Sequence, residues 1–521
     1  MISNPILPGF HPDPSIVRVG DDYYLANSTF EWFPGVPIHH SRDLKHWRLI
    51  GHALNRTSQF DLRGVPDSGG VWAPSMSHAD GRFWLVYTNL RNTGMGRPFK
   101  DIKIFLTTAE NAEGPWSDPI ELDSIGFDPS LFHDEDGRKW LVNMEWDFRK
   151  GRHRFAGIVA QEFDPDSGKL VGDRKTILQK TGILTEGPNL YRHDGWYYLM
   201  LAEGGTGWNH GISAARSRNL LGPYELDPQA SVLTTRDDYG HPLQKSGHGE
   251  IVQTPAGEWF LAHLASRPVG FERRCTLGRE TCLQRTRWTD GWLRLENGGH
   301  SPAVEMEEPT GFTPHPWPEP PARDEFDGAT LDPSWQSLRV PADGNWVTLS
   351  ERPGWLRLRG RESVHSFFEQ SLLAKRLTAH RMTAETVVEF EPDHPTQMAG
   401  LVCWYNTAHH FYLRVTHEED LGKVVGVTLT DKGAYDELGD ISIDGWHQVH
   451  MRAFIDRDTL IFFVSPDGND WVQVGPHLDF TKISDDYANG FTGAMIGIAA
   501  QDLANRRRTA DFGFFELRAH A

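Results

Sequence analysis

Three acidic residues recur in one local setting. Asp13 opens "DPSIV", Asp128 opens "DPSLF" and Glu186 opens "EGPNL", each followed by a Pro or Gly and then an apolar run. Carboxylates aimed together at one place repel, and burial raises the pKa of at least one of them. Such a set costs stability unless it does something. A pair with one member protonated and another ionised is what glycosidic bond cleavage needs, one as general acid and one as base or nucleophile. The same oxygens could instead hold a divalent cation, since hard cations take oxygen ligands. The residue types leave both chemistries open.

The elements that must position these acids are visible as a repeat. The phrase occurs five times: "DPSIVRVGDDYYLANST" from Asp13, "WAPSMSHADGRFWLVYT" from Trp72, "DPSLFHDEDGRKWLVNM" from Asp128, "EGPNLYRHDGWYYLMLAEGG" from Glu186 and "HGEIVQTPAGEWFLAHL" from His248. Each copy reads as an apolar strand, a Gly- or Asp-containing turn and an aromatic strand, which is a β-hairpin signature. The spacings of 59, 56, 58 and 62 residues (72−13, 128−72, 186−128, 248−186) leave room for four strands per unit. Five such units predict a five-bladed β-propeller. The innermost strand of each blade faces the central channel, so Asp13, Trp72, Asp128, Glu186 and His248 are expected to form a ring at one mouth.

The rest of the chain fits an all-β protein with a second domain. At 521 residues it is too long for one ordinary core, and 19 Trp with 51 Gly in a chain only 38% hydrophobic suit short, glycine-turned, aromatic-packed strands. Residues 301–323 hold seven prolines and no alternation, marking a stiff linker or strap. The reading is a propeller over 1–310, a Pro-rich linker over 311–323 and a β-sandwich over 324–521, where "GWLRLRG", "HHFYLRVTH" and "LIFFVSPDGNDWVQV" alternate as antiparallel strands do. A formal charge of −19 argues against nucleic acid or an anionic membrane as partner. The N-terminus lacks a signal-peptide pattern, and Cys275, Cys282 and Cys403 match no metal motif, so a soluble cytoplasmic protein with reduced thiols is expected.

With these residues in view, the sequence resembles glycoside hydrolase family 43, most closely its two-domain β-xylosidases. The resemblance runs in order through "NPILPGFHPDPSIVRVGDDYYLANSTFEWFPGVPIHHSRDL", "GGVWAPSM", "GFDPSLFHDEDGRKW", "TEGPNLY", "LAEGGT", "GHGEIVQTPAGEWFLAHL" and "LGRETCLQRTRW". It implies Asp13 as general base, Glu186 as general acid and Asp128 as the acid that raises and orients Glu186. It further implies inversion, with base and acid about 6.5–9.5 Å apart to admit a water. Phe30 and Trp72 would wall the subsite for the non-reducing-end sugar, Arg279 would bond its hydroxyls, and Phe491 in "NGFTGAMIGIAAQD" would close the pocket from the second domain. His248 is expected as a sugar contact, a ligand near a calcium ion on the propeller axis, or a packed core histidine; no cofactor is required.

The implied activity is release of xylose from the non-reducing ends of β-1,4-xylo-oligosaccharides, with α-L-arabinofuranosides also cleaved, by a dimer or tetramer. The rivals are an arabinofuranosidase or arabinanase on the same propeller and a carbohydrate-binding propeller without catalysis.

Overall fold

The computed structural model describes residues 1–92 and 98–520. Five separate antiparallel sheets are opened by the strands Ser15–Val19, Gly70–Ala79, Gly126–His133, Thr185–His193 and Gln244–Gln253. Four of these sheets have four strands, and the fourth in chain order has a fifth short strand at its edge. The predicted hairpin turns are present: Ala79 faces Arg82 across Asp80-Gly81, both at positive φ (54° and 73°), which is the turn whose twist suits antiparallel strands.

The five blades close through the N-terminal segment. Ile2–Ser3 pairs with Glu305–Met306, and the Asn4 side chain exchanges hydrogen bonds with the Leu283 backbone of the last blade (2.8 Å each way). On the axis, buried Glu250 of the last blade accepts from Ser15 Oγ (2.8 Å), Ser75 Oγ (3.0 Å) and Ile16 N (3.1 Å), tying three blades together. The Pro-rich segment then runs back over the first blade, with the His315 amide on Asp43 (2.7 Å) and the Trp317 ring beneath Arg48 (3.8 Å).

The C-terminal half is a sandwich of two eight-stranded sheets around a core that includes Leu401, Phe411, Met451, Phe462, Ile498 and Phe512. One of these sheets takes its last strand from the propeller: Trp32–Phe33 pairs with Gln336–Leu338. An apolar cluster containing Phe10, Phe30, Trp32, Trp404, Tyr412 and Met495 fills the junction. Each such side chain removed from water contributes about 1.5–3 kcal/mol.

The junction also buries charge. Arg339, whose side chain is fully buried, donates to Val65 O (2.7 Å), Gln370 Oε1 (3.1 Å) and Asp67 Oδ1 (2.7 Å), while Asp67 accepts the Thr407 amide (3.1 Å). Beside it, Glu31 takes the Ser68 amide (3.0 Å), and burial followed by the charge of Asp67 pushes its carboxyl up to about 8. Removing one partner of a buried pair leaves the other desolvated and uncompensated. Arg339→Ala is therefore expected to cost about 3–5 kcal/mol, read as a lowered denaturation midpoint in urea.

Candidate active site

The inner strands carry the acids, but the ring differs by one residue from the sequence expectation. The residues held at positive φ at the entry to each inner strand are Asp13 (50°), Ala73 (21°), Asp128 (53°), Gly187 (55°) and His248 (37°). Pairing slips between Trp72 and Ser75, Phe127 and Ser130, and Glu186 and Asn189, so Glu186 is equivalent to Trp72 and Phe127, one position ahead of Asp13 and Asp128. The sequence reading aligned first residues of each phrase, whereas "WAP" and "EGP" hold one residue more before the proline than "DP" does. Asp128 and His248 thus face the axis together with Ala73 and Gly187, while Trp72 and Glu186 stand further out, and all but Gly187 line one pocket. Glycine is required at 187, because its φ is positive and a Cβ would sit 3.0 Å from the His248 ring.

The electrostatics split the three carboxyls. Asp13 is buried, accepts from Arg279 Nη1 (2.8 Å) and Ser28 Oγ (2.6 Å), and has His248 Nδ1 3.6 Å away. Burial alone would raise it, but Arg279, His248 and the Ser28 hydroxyl outweigh burial and hold it below the ordinary aspartate value. Glu186 is pushed up to about 7, first by burial and then by the Asp13 charge. Asp128 is raised well above the ordinary value by burial, then by Glu186 and Asp13. Near neutrality the site therefore holds an ionised Asp13 opposite a pair that retains a proton. Asp128 also accepts the Gly187 amide (3.2 Å), and so fixes the backbone directly after Glu186.

The walls are aromatic. Phe30, Trp72 and Phe491 meet at ring separations of 5.6–6.2 Å, and Trp72 is fixed by its indole N–H on Ser68 O (2.9 Å). Phe491 comes from the sandwich and is held at both ends of its peptide: its amide donates to Ser68 Oγ (3.0 Å) and its carbonyl accepts from Arg279 Nη2 (2.9 Å). Glycine is needed two residues on, where a Cβ at 493 would lie 2.6 Å from Leu277 O. Ahead of the loop, Lys245 of the propeller bonds Asp486 (2.6 Å) and lies 3.5 Å from Asp485. Arg279 is not a surface partner of its neighbour, since Glu280 is committed to Arg267 (2.7 Å, two bonds).

These walls enclose a pocket of about 530 Å³ that contains every site residue the sequence singled out: Asp13, Phe30, Trp72, Asp128, Glu186, His248, Arg279 and Phe491. It adds residues the sequence reading missed: Phe127, buried against Trp72, and towards solvent Lys100, Trp146, Phe155 and the run Arg152–Arg154. Of these, Phe127 alone had a repeat signal, as the position before Asp128. Behind the ring, Asp128, Asn189, His248 and Glu250 border a cavity of about 10 Å³, enough for one water. Among the described residues, groups of three His, Cys, Asp or Glu atoms close enough to share an ion occur at Cys275, Asp485 and Asp486 and at Glu418, Glu437 and Asp440, neither of which includes His248. The three cysteines are buried and unpaired, and burial raises each thiol.

Comparison with known proteins agrees with this geometry. Residues 2–293 match the model for glycosyl hydrolases family 43, and residues 323–518 match the β-xylosidase C-terminal concanavalin A-like domain. A xylan 1,3-β-xylosidase of Vibrio sp. is 45% identical over 100% of this chain and 99% of its own. Xylosidase/arabinosidase 43B of Humicola insolens is 46% identical over 99% of this chain and 97% of its own. The crystal structure of a xylan β-1,4-xylosidase from Bacillus halodurans superposes with a TM-score of 0.97 at 51% identity, covering 99% of this chain and 100% of that one. These matches over the whole chain, which carries a five-bladed propeller completed by a loop of a β-sandwich, place it in glycoside hydrolase family 43.

Proposed function

We propose that the protein is an inverting, exo-acting β-xylosidase that releases xylose from the non-reducing ends of β-1,4-xylo-oligosaccharides and also accepts α-L-arabinofuranosides. The observation that carries this reading is the split titration at the bottom of a walled pocket: Asp13 held ionised by Arg279, and Glu186 held protonated to about 7. In this reading Asp13 takes a proton from water as the water attacks the anomeric carbon. Glu186 gives its proton to the departing glycosidic oxygen, and Asp128, through the Gly187 amide, holds Glu186 in place. Phe30, Trp72 and Phe491 exclude water and stack on the sugar, and the wall supplied by Phe491 favours chain ends over internal bonds. No step requires a metal.

The arabinofuranoside activity is supported by the relatedness to a xylosidase/arabinosidase, since two pentoses can present similar hydroxyls to one pocket. The relative named for β-1,3-linked xylan makes linkage a separate measurement.

Proton NMR of xylobiose hydrolysis should show α-xylose first. Initial β-xylose would mean a covalent intermediate and overturn the role of Asp13. Parallel rates on β-1,3-xylobiose and an aryl α-L-arabinofuranoside rank the alternatives. Glu186→Gln should lower kcat on xylobiose by about 10²–10⁴-fold and act less on an aryl xyloside, whose leaving group needs little protonation. The pH profile of kcat/KM should be a bell. Activity rises as Asp13 loses its proton at acid pH and falls as Glu186 loses its own at about 7. In Arg279→Met the charge opposing burial is gone, so Asp13 titrates higher and the acid limb should move to higher pH.

A further inference from the structure

The charge of the pocket changes sign from bottom to mouth. Its floor holds Asp13, Asp128 and Glu186, whereas its outer side is lined by Lys100, Arg152, His153 and Arg154 in a chain whose net charge is −19. Lys100 Nζ lies 5.3 Å from the centre of Trp72 and 4.9 Å from that of Trp146, so it stands between the inner wall and the rim. Arg154 is 5.9 Å from the same Trp146 ring, and Arg152 and Arg154 are exposed. Among the described residues none of Lys100, Arg152 and Arg154 forms an ion pair, and the nearby carboxylate Asp147 is already bound by Arg149 through both oxygens. Of the three, Lys100 feels the charge of Glu186 on the pocket floor, whereas Arg152 and Arg154 line the cavity with no acid in ion-pair contact among the described residues. An unneutralised cluster at a pocket mouth concentrates anions there.

We propose that the leaving-group side of the pocket is built to take a sugar that carries a carboxylate, that is, xylo-oligosaccharides substituted with a uronic acid beyond the scissile bond. The inference rests on the reading of the preceding section for which bond is cut, and adds the class of substrate. Polarity fixes the side. A carboxylate on the terminal xylose would lie against Asp13, Asp128 and Glu186 and be repelled, whereas one on a following residue meets Lys100, Arg152 and Arg154. Trp146 and Phe155 between those cations supply faces on which the sugar ring can pack. Because Arg152 and Arg154 are exposed, the attraction must weaken as salt screens it over a Debye length of about 8–10 Å.

The test compares kcat/KM for three substrates: xylotriose, xylotriose bearing glucuronic acid on its reducing-end xylose, and the methyl ester of that uronate. The ester matches the acid in shape without its charge. At low ionic strength the acid should exceed its ester by about five- to tenfold, and the ratio should fall towards one in about 0.5 M salt. The double variant Arg152→Gln/Arg154→Gln should lose most of that ratio. Equal values for acid and ester at low salt, or a ratio unmoved by salt or by the double variant, would overturn the inference while leaving xylotriose hydrolysis in place. Failure to hydrolyse xylotriose at all would instead overturn the preceding reading, and this one with it.

Discussion

The site depends on how a single buried guanidinium is shared. Arg279 gives one nitrogen to the Asp13 carboxylate and another to the Phe491 carbonyl, so the ionised acid and the wall that closes the pocket have one anchor. Three carboxyls converge on the pocket, and Arg279 bonds only one of them. Burial penalises every uncompensated negative charge, so the remaining two are left to retain a proton between them. The division of labour among chemically similar groups follows from that shortage of positive charge. The same contact makes the chemistry conditional on assembly, because a misplaced Phe491 loop would also release the hydrogen bond that orients Arg279.

The backbone meets a comparable constraint. Aiming Asp13, Asp128 and His248 at the axis puts non-glycine residues at positive φ, a conformation that costs energy and persists only where the surroundings over-determine it. The surroundings here are the proline that follows Asp13 and Asp128, the pairing of the inner hairpins, and the Glu250 bridge between blades. Strain concentrated at the ring is thus opposed by the most regular part of the fold.

Much of this was legible in the sequence, for physical reasons that also explain what was not. Five copies of one phrase at a period near 60 residues reveal blades because each blade repeats the same hairpin, and the acids stand out because they break an otherwise apolar pattern. The extra residue in "WAP" and "EGP" was visible too, but its meaning requires the pairing slips that move Trp72 and Glu186 off the axis. Lys100 and Arg152–Arg154 escaped because they belong to loops outside the repeat, and Trp146 because it ends its strand two residues beyond the repeated phrase. The junction charges escaped because Arg339 and Asp67 are 272 positions apart, and nothing in either segment specifies the other. The Pro-rich segment reads as a stiff linker or strap, and its seat on the first blade depends on Trp317 meeting Arg48, a contact no local pattern encodes.

The pairing of Trp32–Phe33 with Gln336–Leu338 has a consequence for how the protein can be divided. Two residues that lie within the first blade's sequence complete a sheet of the other half, and they directly follow Phe30 and Glu31. Cutting the chain in the Pro-rich segment would therefore not yield two finished modules. It would strip Trp32 and Trp404 of their shared cover and expose a raw sheet edge, a template for adhesion between chains. The chain carries two architectures, but a cut between them runs through a shared sheet and a shared core.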